Sequence, residues 1–191
     1  MEQVLLLVMI LGYIFLQIFW FIMDNRPIKK KVGFHILLKG NACSKLIILS
    51  LTGVILIRFI DPSWKFSLSF SNEINKLLLI SGFICYLAGV ILCIWARLTM
   101  RKTWTPAEDR SIKHKKELIT WGTFSFTRNP IYLGLLMIYS GFFISMRSYL
   151  VATVLFISLY FYKKILEEEK ILEKDFGSDY LKYKSKVRRF I

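Results

Sequence analysis

The stretch from residue 128 to residue 130 reads Arg-Asn-Pro and lies directly before a long apolar run. Pro130 suits the first turn of a helix, where backbone N–H groups have no partner within the helix. A cation beside such N–H groups favours the binding of an anion. An arginine at this position is also typical of residues that end a membrane span and extend to the lipid headgroups. Arg128 is therefore a candidate anion-binding residue at a membrane surface.

An acidic triplet, residues 167 to 169, follows two lysines at positions 163 and 164. Near lipid, a group of carboxylates carries a desolvation cost unless it meets a cation. One explanation is pairing along a helix, with Lys164 four residues before Glu168, which contributes only about 0.2–0.5 kcal/mol. The other explanation is that a cationic ligand binds there. The spacing leaves both explanations open.

Two blocks of sequence resemble the signature of a known family. The first block is Gly122-x-Phe124 followed by Arg128-Asn129-Pro130-x-Tyr132-x-Gly134. The second block comprises Glu168-Glu169, Leu172, Phe176-Gly177, Tyr180 and Tyr183 at the family's spacing. Together they resemble the isoprenylcysteine carboxyl methyltransferases, which are related to membrane phospholipid methyltransferases. The resemblance covers nearly the whole chain and implies a methyltransferase of the membrane.

The resemblance implies S-adenosylmethionine as the cofactor. This molecule needs an apolar slot for its adenine, donors for its carboxylate and a carboxylate for its cationic groups. Arg128 and Glu168 are the candidate catalytic residues, and Lys164 is the candidate substrate-binding residue. The implied cofactor contacts are Lys116, Glu117, Leu118, Ile119, Phe124, Asn129, Pro130, Ile131, Tyr132 and Glu168.

Three positions depart from the family pattern. Asn129 and Lys116 stand where the family typically has histidines, and Lys164 stands where it has an arginine. A lysine is a point charge and cannot form the two parallel hydrogen bonds of an arginine with a carboxylate. No Cys or His spacing predicts a metal site. The acceptor can therefore differ from that of the family.

Composition indicates an integral membrane protein. The 191 residues are 55% hydrophobic and 16% aromatic, which is too apolar for an ordinary soluble domain. The net charge of +14 is concentrated at the ends of apolar runs. Membrane topology and contact with anionic lipid explain this charge better than nucleic-acid binding does. We expect no nucleic-acid partner, and the sequence does not indicate an oligomeric state.

The apolar runs predict an all-α, polytopic membrane helix bundle in a single domain, residues 1–191. Runs of about 20 apolar residues are long enough to cross a bilayer. The five predicted spans are residues 4–23, 46–60, 77–96, 131–146 and 149–166, and the last two are short enough that a re-entrant pair is an alternative. An apolar stripe beyond the last span predicts two amphipathic helices within 167–189, separated at Gly177. The segment from Arg97 to Arg128 is predicted to be a polar linker.

The distribution of basic residues predicts the orientation. If the N-terminus is outside, 23 of the 27 Lys and Arg residues lie on the cytoplasmic side. The C-terminus and the active site are then cytoplasmic.

Three classes of function fit these observations. The first is methyl transfer from S-adenosylmethionine to a lipophilic, membrane-embedded acceptor, with a carboxylate of the isoprenylcysteine type preferred. The nearest alternative is methylation of a phospholipid, a small amine or a thiol. The third is a non-enzymatic membrane scaffold.

Overall fold

The computed structural model describes residues 2–24, 68–100 and 117–190. Within these ranges the chain forms helices and no β-strand. The principal helices are α1 (Glu2–Asp24), α2 (Asn72–Met100), α3 (Pro130–Ser145) and α4 (Thr153–Lys186). The predicted span 46–60 lies outside the described residues.

Three segments of the described chain are helical, long and apolar enough to cross a membrane: Gln3–Trp20, Asn72–Met100 and Tyr149–Lys186. Helix α3 is also apolar but has only 16 residues, a length of about 24 Å. The predicted all-α membrane bundle is confirmed.

Helices α2 and α3 pack closely because glycines face each other across their contact. A Cβ atom on Gly89 would lie 2.6 Å from the Gly134 carbonyl oxygen, and one on Gly141 would lie 2.4 Å from the Tyr86 nitrogen. Small residues allow helix backbones to approach in this way within a membrane. We call these residues, together with Gly82, the glycine contact.

The glycine contact fixes where α3 begins relative to α2. The Cys93 thiol donates a weak hydrogen bond to the Ile131 carbonyl, with 3.7 Å between sulfur and oxygen. The two helices therefore run antiparallel, and the first turn of α3 lies beside the last turns of α2. Helix α1 completes this core, because the Tyr86 hydroxyl donates to the Met9 carbonyl over 2.6 Å and both side chains are buried.

Helix α4 carries the chain from the predicted membrane span into the charged C-terminal region. The sequence predicted new helices after residue 166, but α4 continues through this point without a break. Leu, Glu and Lys are good helix formers, and pairs such as Lys164 with Glu167 support the exposed part of the helix. The expected interruption at Gly177 is present, with φ 51° and ψ −122°.

The predicted polar linker begins later than the sequence indicated, because α2 extends to Met100. Residues 101–116 lie outside the described ranges. Arg97, which the prediction placed in the linker, is a helical residue and is only 2% exposed.

Candidate active site

The segment that enters α3 is anchored at a tight turn. Residues Gly122–Ser125 form a 3-10 turn, and Gly122 has φ 63°, a conformation that favours glycine. A Cβ atom on Gly122 would lie 3.0 Å from the Thr99 hydroxyl oxygen, so this turn packs on the last turn of α2. The Tyr183 hydroxyl donates to the Phe124 carbonyl over 2.7 Å, which attaches the turn to α4 as well.

The residues after α4 run beside the Arg-Asn-Pro stretch and hold it through the backbone. The Arg128 N–H donates to the Arg188 carbonyl over 3.0 Å. The Arg189 carbonyl accepts from the Thr127 hydroxyl at 2.9 Å and from the Asn129 amide at 3.1 Å. Thr127 and Asn129 are both buried. The start of α3 is thus fixed by chain that lies about 60 residues later.

Arg128, Glu169 and Arg189 form an ionic cluster, which we call the arginine–glutamate cluster. Arg189 binds both carboxylate oxygens of Glu169, with Nε–Oε1 and Nη2–Oε2 distances of 2.9 Å. Arg128 Nη1 lies 3.2 Å from Glu169 Oε1. The side chains of Arg128 and Glu169 are only 8% and 5% exposed, so water screens their interaction little.

The electrostatics of the arginine–glutamate cluster favour an ionised Glu169. The hydrogen bond from Arg189 and the charges of Arg128 and Arg189 compensate the Glu169 carboxylate for its loss of contact with water. The same hydrogen bond raises the pKa of Arg189. Two cations share one anion, and the cluster therefore carries a net positive charge.

Arg128 uses only part of its guanidinium for these contacts. Its Nη1 also lies 3.4 Å from the Tyr180 hydroxyl oxygen, to which it donates. Its Nε is buried and has no hydrogen-bond partner within the described part of the chain. A buried donor in this position is costly unless a ligand satisfies it.

Glu168 and Glu169 are neighbours in sequence but have different partners. The Tyr132 hydroxyl donates to Glu168 Oε1 over 2.8 Å. Tyr132 lies one turn after Arg128 at the start of α3, and its ring packs against Phe161 of α4 with 5.1 Å between centroids. The structure therefore brings Tyr132 and Glu168 together, whereas Arg128 contacts the neighbouring Glu169 and Tyr180. That Arg128 and Glu168 share a site stays a prediction.

Lys164 lies one turn before Glu168 on α4, as expected, and its ammonium pairs with Glu167 at 2.7 Å. Its side chain is 29% exposed, whereas that of Glu167 is 63% exposed. Exposed ion pairs of this kind contribute little to stability and exchange readily. Along α4, Lys164 lies one turn closer than Glu168 to the apolar part of the helix.

The other predicted cofactor contacts lie along the same segment of chain. Glu117 is exposed, Leu118 and Ile119 are half-buried before the 3-10 turn, and Phe124 is half-buried within it. Pro130 is buried at the first position of α3, and Ile131 follows it. Lys116 lies outside the described residues. Within the described ranges, no group of His, Cys, Asp and Glu is suited to a metal ion.

Sequence reasoning missed two residues of this region. In the sequence, Arg189 is one of the basic residues that predict the orientation in the membrane, and nothing in its spacing points to Glu169. Arg97 is buried one turn after Cys93, on the side of α2 that meets the start of α3. A cation inside an apolar helix is itself a signal of function, and this signal was available from the sequence.

Comparison with known families agrees with this geometry. Residues 77–179, more than half of the 191-residue chain, match the family model described as phospholipid methyltransferase. Comparisons with curated proteins and with solved structures gave no match. The matched range contains most of α2, the 3-10 turn, α3 and most of α4, but it ends before Arg189. The chain belongs to the phospholipid methyltransferase family, whose members are membrane methyltransferases that use S-adenosylmethionine and are related to the isoprenylcysteine carboxyl methyltransferases.

Proposed function

We propose that this methyltransferase binds S-adenosylmethionine between Arg128 and Glu168 and methylates the polar end of a lipophilic acceptor held in the membrane. The observation that carries this proposal is the hydrogen bond from Tyr132 to Glu168, one helical turn from the buried Arg128. This hydrogen bond holds the Glu168 carboxylate at the first turn of α3, and Arg128 shortly precedes that turn in the chain.

The residues present fit the polar parts of the cofactor. The unused Nε donor of Arg128 suits the cofactor carboxylate, because a charged donor and acceptor make a strong hydrogen bond. Glu168 suits the amino group or the sulfonium. Leu118, Ile119 and Phe124 supply apolar surface for the adenine. When bound, S-adenosylmethionine supplies an activated methyl group on its sulfonium.

For the acceptor we propose a carboxylate of the isoprenylcysteine type. Helix α4 is continuous between Lys164 and Glu168, so the Lys164 ammonium lies one turn closer to the lipid than the carboxylate that would hold the cofactor. Lys164 would leave its weak pair with Glu167 and orient the acceptor carboxylate toward the methyl group. A carboxylate is already ionised at neutral pH and needs no general base.

A second candidate acceptor is the amine headgroup of a phospholipid. The observation that favours it is the Lys164–Glu167 pair, because a lysine that already pairs with a carboxylate is less suited to hold an anionic acceptor. An amine would be attracted to Glu168, but its nitrogen must lose a proton before it attacks the methyl group. The family description is compatible with both acceptors.

The orientation in the membrane is proposed from the sequence. With the N-terminus outside, the site lies on the cytoplasmic face, where anionic lipid would contact the basic residues. A reporter fused after Ile191 should then be cytoplasmic, and one inserted at Asn72 should be external. The reverse pattern would rule out this orientation.

The proposed function is tested in two steps with the purified protein in detergent or lipid nanodiscs. Calorimetry with S-adenosylmethionine should show binding to one site per chain, and absence of binding would overturn the proposal. Transfer of a labelled methyl group is then measured to an S-prenylated cysteine with a free carboxylate and, separately, to phosphatidylethanolamine vesicles. Methylation of the first supports the carboxylate acceptor, and methylation of the second alone would replace it by the amine.

A further inference from the structure

Arg189 and Arg128 compete for the same carboxylate. Arg189 donates to both oxygens of Glu169 at 2.9 Å, which is the paired geometry that makes arginine–carboxylate contacts strong. Arg128 approaches only Oε1, at 3.2 Å, and that oxygen already accepts from Arg189. Glu169 therefore binds Arg189 more fully than it binds Arg128.

This unequal sharing leaves part of Arg128 available. The Arg128 side chain is 8% exposed, and its Nε has no hydrogen-bond partner among the described residues. Without Arg189, Glu169 would be a buried carboxylate with Arg128 as its remaining cation in this cluster. The two would then be expected to form the paired contact themselves, because a buried charge is stabilised by as many charge-assisted hydrogen bonds as it can make.

We infer that Arg189 is a positioning residue: by occupying both oxygens of Glu169, it keeps Arg128 available for the carboxylate of the bound cofactor. This inference rests on the proposed function, since it assigns the cofactor carboxylate to Arg128. In this role Arg189 acts through Glu169.

The surroundings of Arg189 hold its guanidinium in this arrangement. Its Nη1 donates to the Tyr162 hydroxyl over 3.3 Å, and its guanidinium carbon lies 5.2 Å from the centre of the Tyr162 ring. Its carbonyl accepts from Thr127 and Asn129, on either side of Arg128. Arg189 thus holds both the backbone on either side of Arg128 and the Glu169 carboxylate that Arg128 would otherwise bind.

The inference predicts that one substitution weakens cofactor binding and that a second restores it. Arg189→Gln should lower the affinity for S-adenosylmethionine about tenfold, because Glu169 then binds Arg128 through both oxygens. Affinity for decarboxylated S-adenosylmethionine, which lacks the group assigned to Arg128, should change little. Arg189→Gln combined with Glu169→Gln should recover affinity for the intact cofactor, because no carboxylate remains to bind Arg128. Lys186→Gln, at an exposed position of α4, controls for the loss of one positive charge.

The outcomes separate this inference from the proposed function. If the unmodified protein does not bind S-adenosylmethionine, the proposed function fails. If it binds and Arg189→Gln binds equally well, or if the double variant binds no better than Arg189→Gln, the inference is overturned, since a merely structural role would give no recovery. Should the glutamine variants not fold, Arg189→Lys keeps the charge and loses the paired geometry. Arg189→Lys is then expected to bind S-adenosylmethionine more weakly than the parent does, while its affinity for decarboxylated S-adenosylmethionine stays the same. Unchanged binding of S-adenosylmethionine would overturn the inference.

Discussion

The glycine contact and the arginine–glutamate cluster both hold α3 in place, but they do so by opposite means. In the glycine contact, α2 and α3 touch through backbone atoms, and added side-chain volume would collide with backbone. In the arginine–glutamate cluster, long charged side chains from separate parts of the chain meet around one buried carboxylate. The first region tolerates no change in volume, whereas the second depends on a balance of charges. A rigid apolar contact together with an adjustable polar one suits the proposed binding of a charged cofactor, because the charges can rearrange while the helices stay in place.

The largest expected effect is from added volume in the glycine contact. Gly141→Ile places a branched side chain where a Cβ atom alone would lie 2.4 Å from the Tyr86 nitrogen. Backbone cannot yield as a flexible side chain can, so we expect destabilisation of about 3 kcal/mol and little folded protein. The yield and thermal stability of the detergent-purified variant measure this effect. A variant as stable as the parent would show that α2 and α3 are not in backbone contact here.

The next effect concerns the charged region and leaves folding intact. Glu168→Gln removes the carboxylate proposed to face the cationic groups of the cofactor. The variant should bind S-adenosylmethionine with a binding free energy weaker by about 1.5–3 kcal/mol, the contribution of a hydrogen bond to a charged group. Calorimetry measures this change. Glu167→Gln is the matched control and should leave cofactor affinity nearly unchanged, because its exposed carboxylate bonds to Lys164. Equal losses for both variants would mean that the acidic triplet acts only through its total charge.

A smaller effect is expected at the acceptor. Lys164→Gln should raise the Michaelis constant for a carboxylate acceptor about tenfold, equivalent to roughly 1.4 kcal/mol, while cofactor affinity stays nearly constant. Lys163 is exposed on another side of α4, and Lys163→Gln should change little. Steady-state kinetics with each acceptor measures these Michaelis constants. A Lys164→Gln variant as active as the parent would favour the amine acceptor.

The smallest expected effect is at Gly177, where a substitution strains the backbone but meets no neighbouring atoms. Gly177 has φ 51°, but a Cβ atom there would meet nothing within 4 Å. Gly177→Ala should therefore cost only about 1 kcal/mol, from backbone strain alone. Thermal unfolding measures this cost. A loss as large as that of Gly141→Ile would contradict the distinction between a strained glycine and a packed one.

The sequence predicted those features that depend on local pattern. Long apolar runs identified the helices, Pro130 identified the start of α3, and Gly177 identified the interruption of α4. The prediction that Arg128 and Glu168 share a site depended on resemblance, because residues 40 positions apart carry no local sign of contact.

What the sequence could not predict was the choice of partners. Glu168 and Glu169 are chemically identical neighbours, and only the direction of each side chain on α4 decides that one meets Tyr132 and the other meets Arg189. The partners of Arg189 are similarly set by the path of the chain after Lys186, which runs beside Thr127. Such contacts follow from tertiary packing, for which periodicity gives no information.

The backbone contacts of residues 187–190 also set an order of events during biosynthesis. Thr127 is 62 residues ahead of the carbonyl it donates to, and α3 and α4 lie between them in the chain. Both helices must therefore leave the ribosome before the segment that enters α3 can find its partners. A chain interrupted after α4 would be able to insert its helices yet would lack Arg189. Membrane insertion and completion of the proposed cofactor site are therefore separate steps, and the second cannot occur before residues 187–190 have been made.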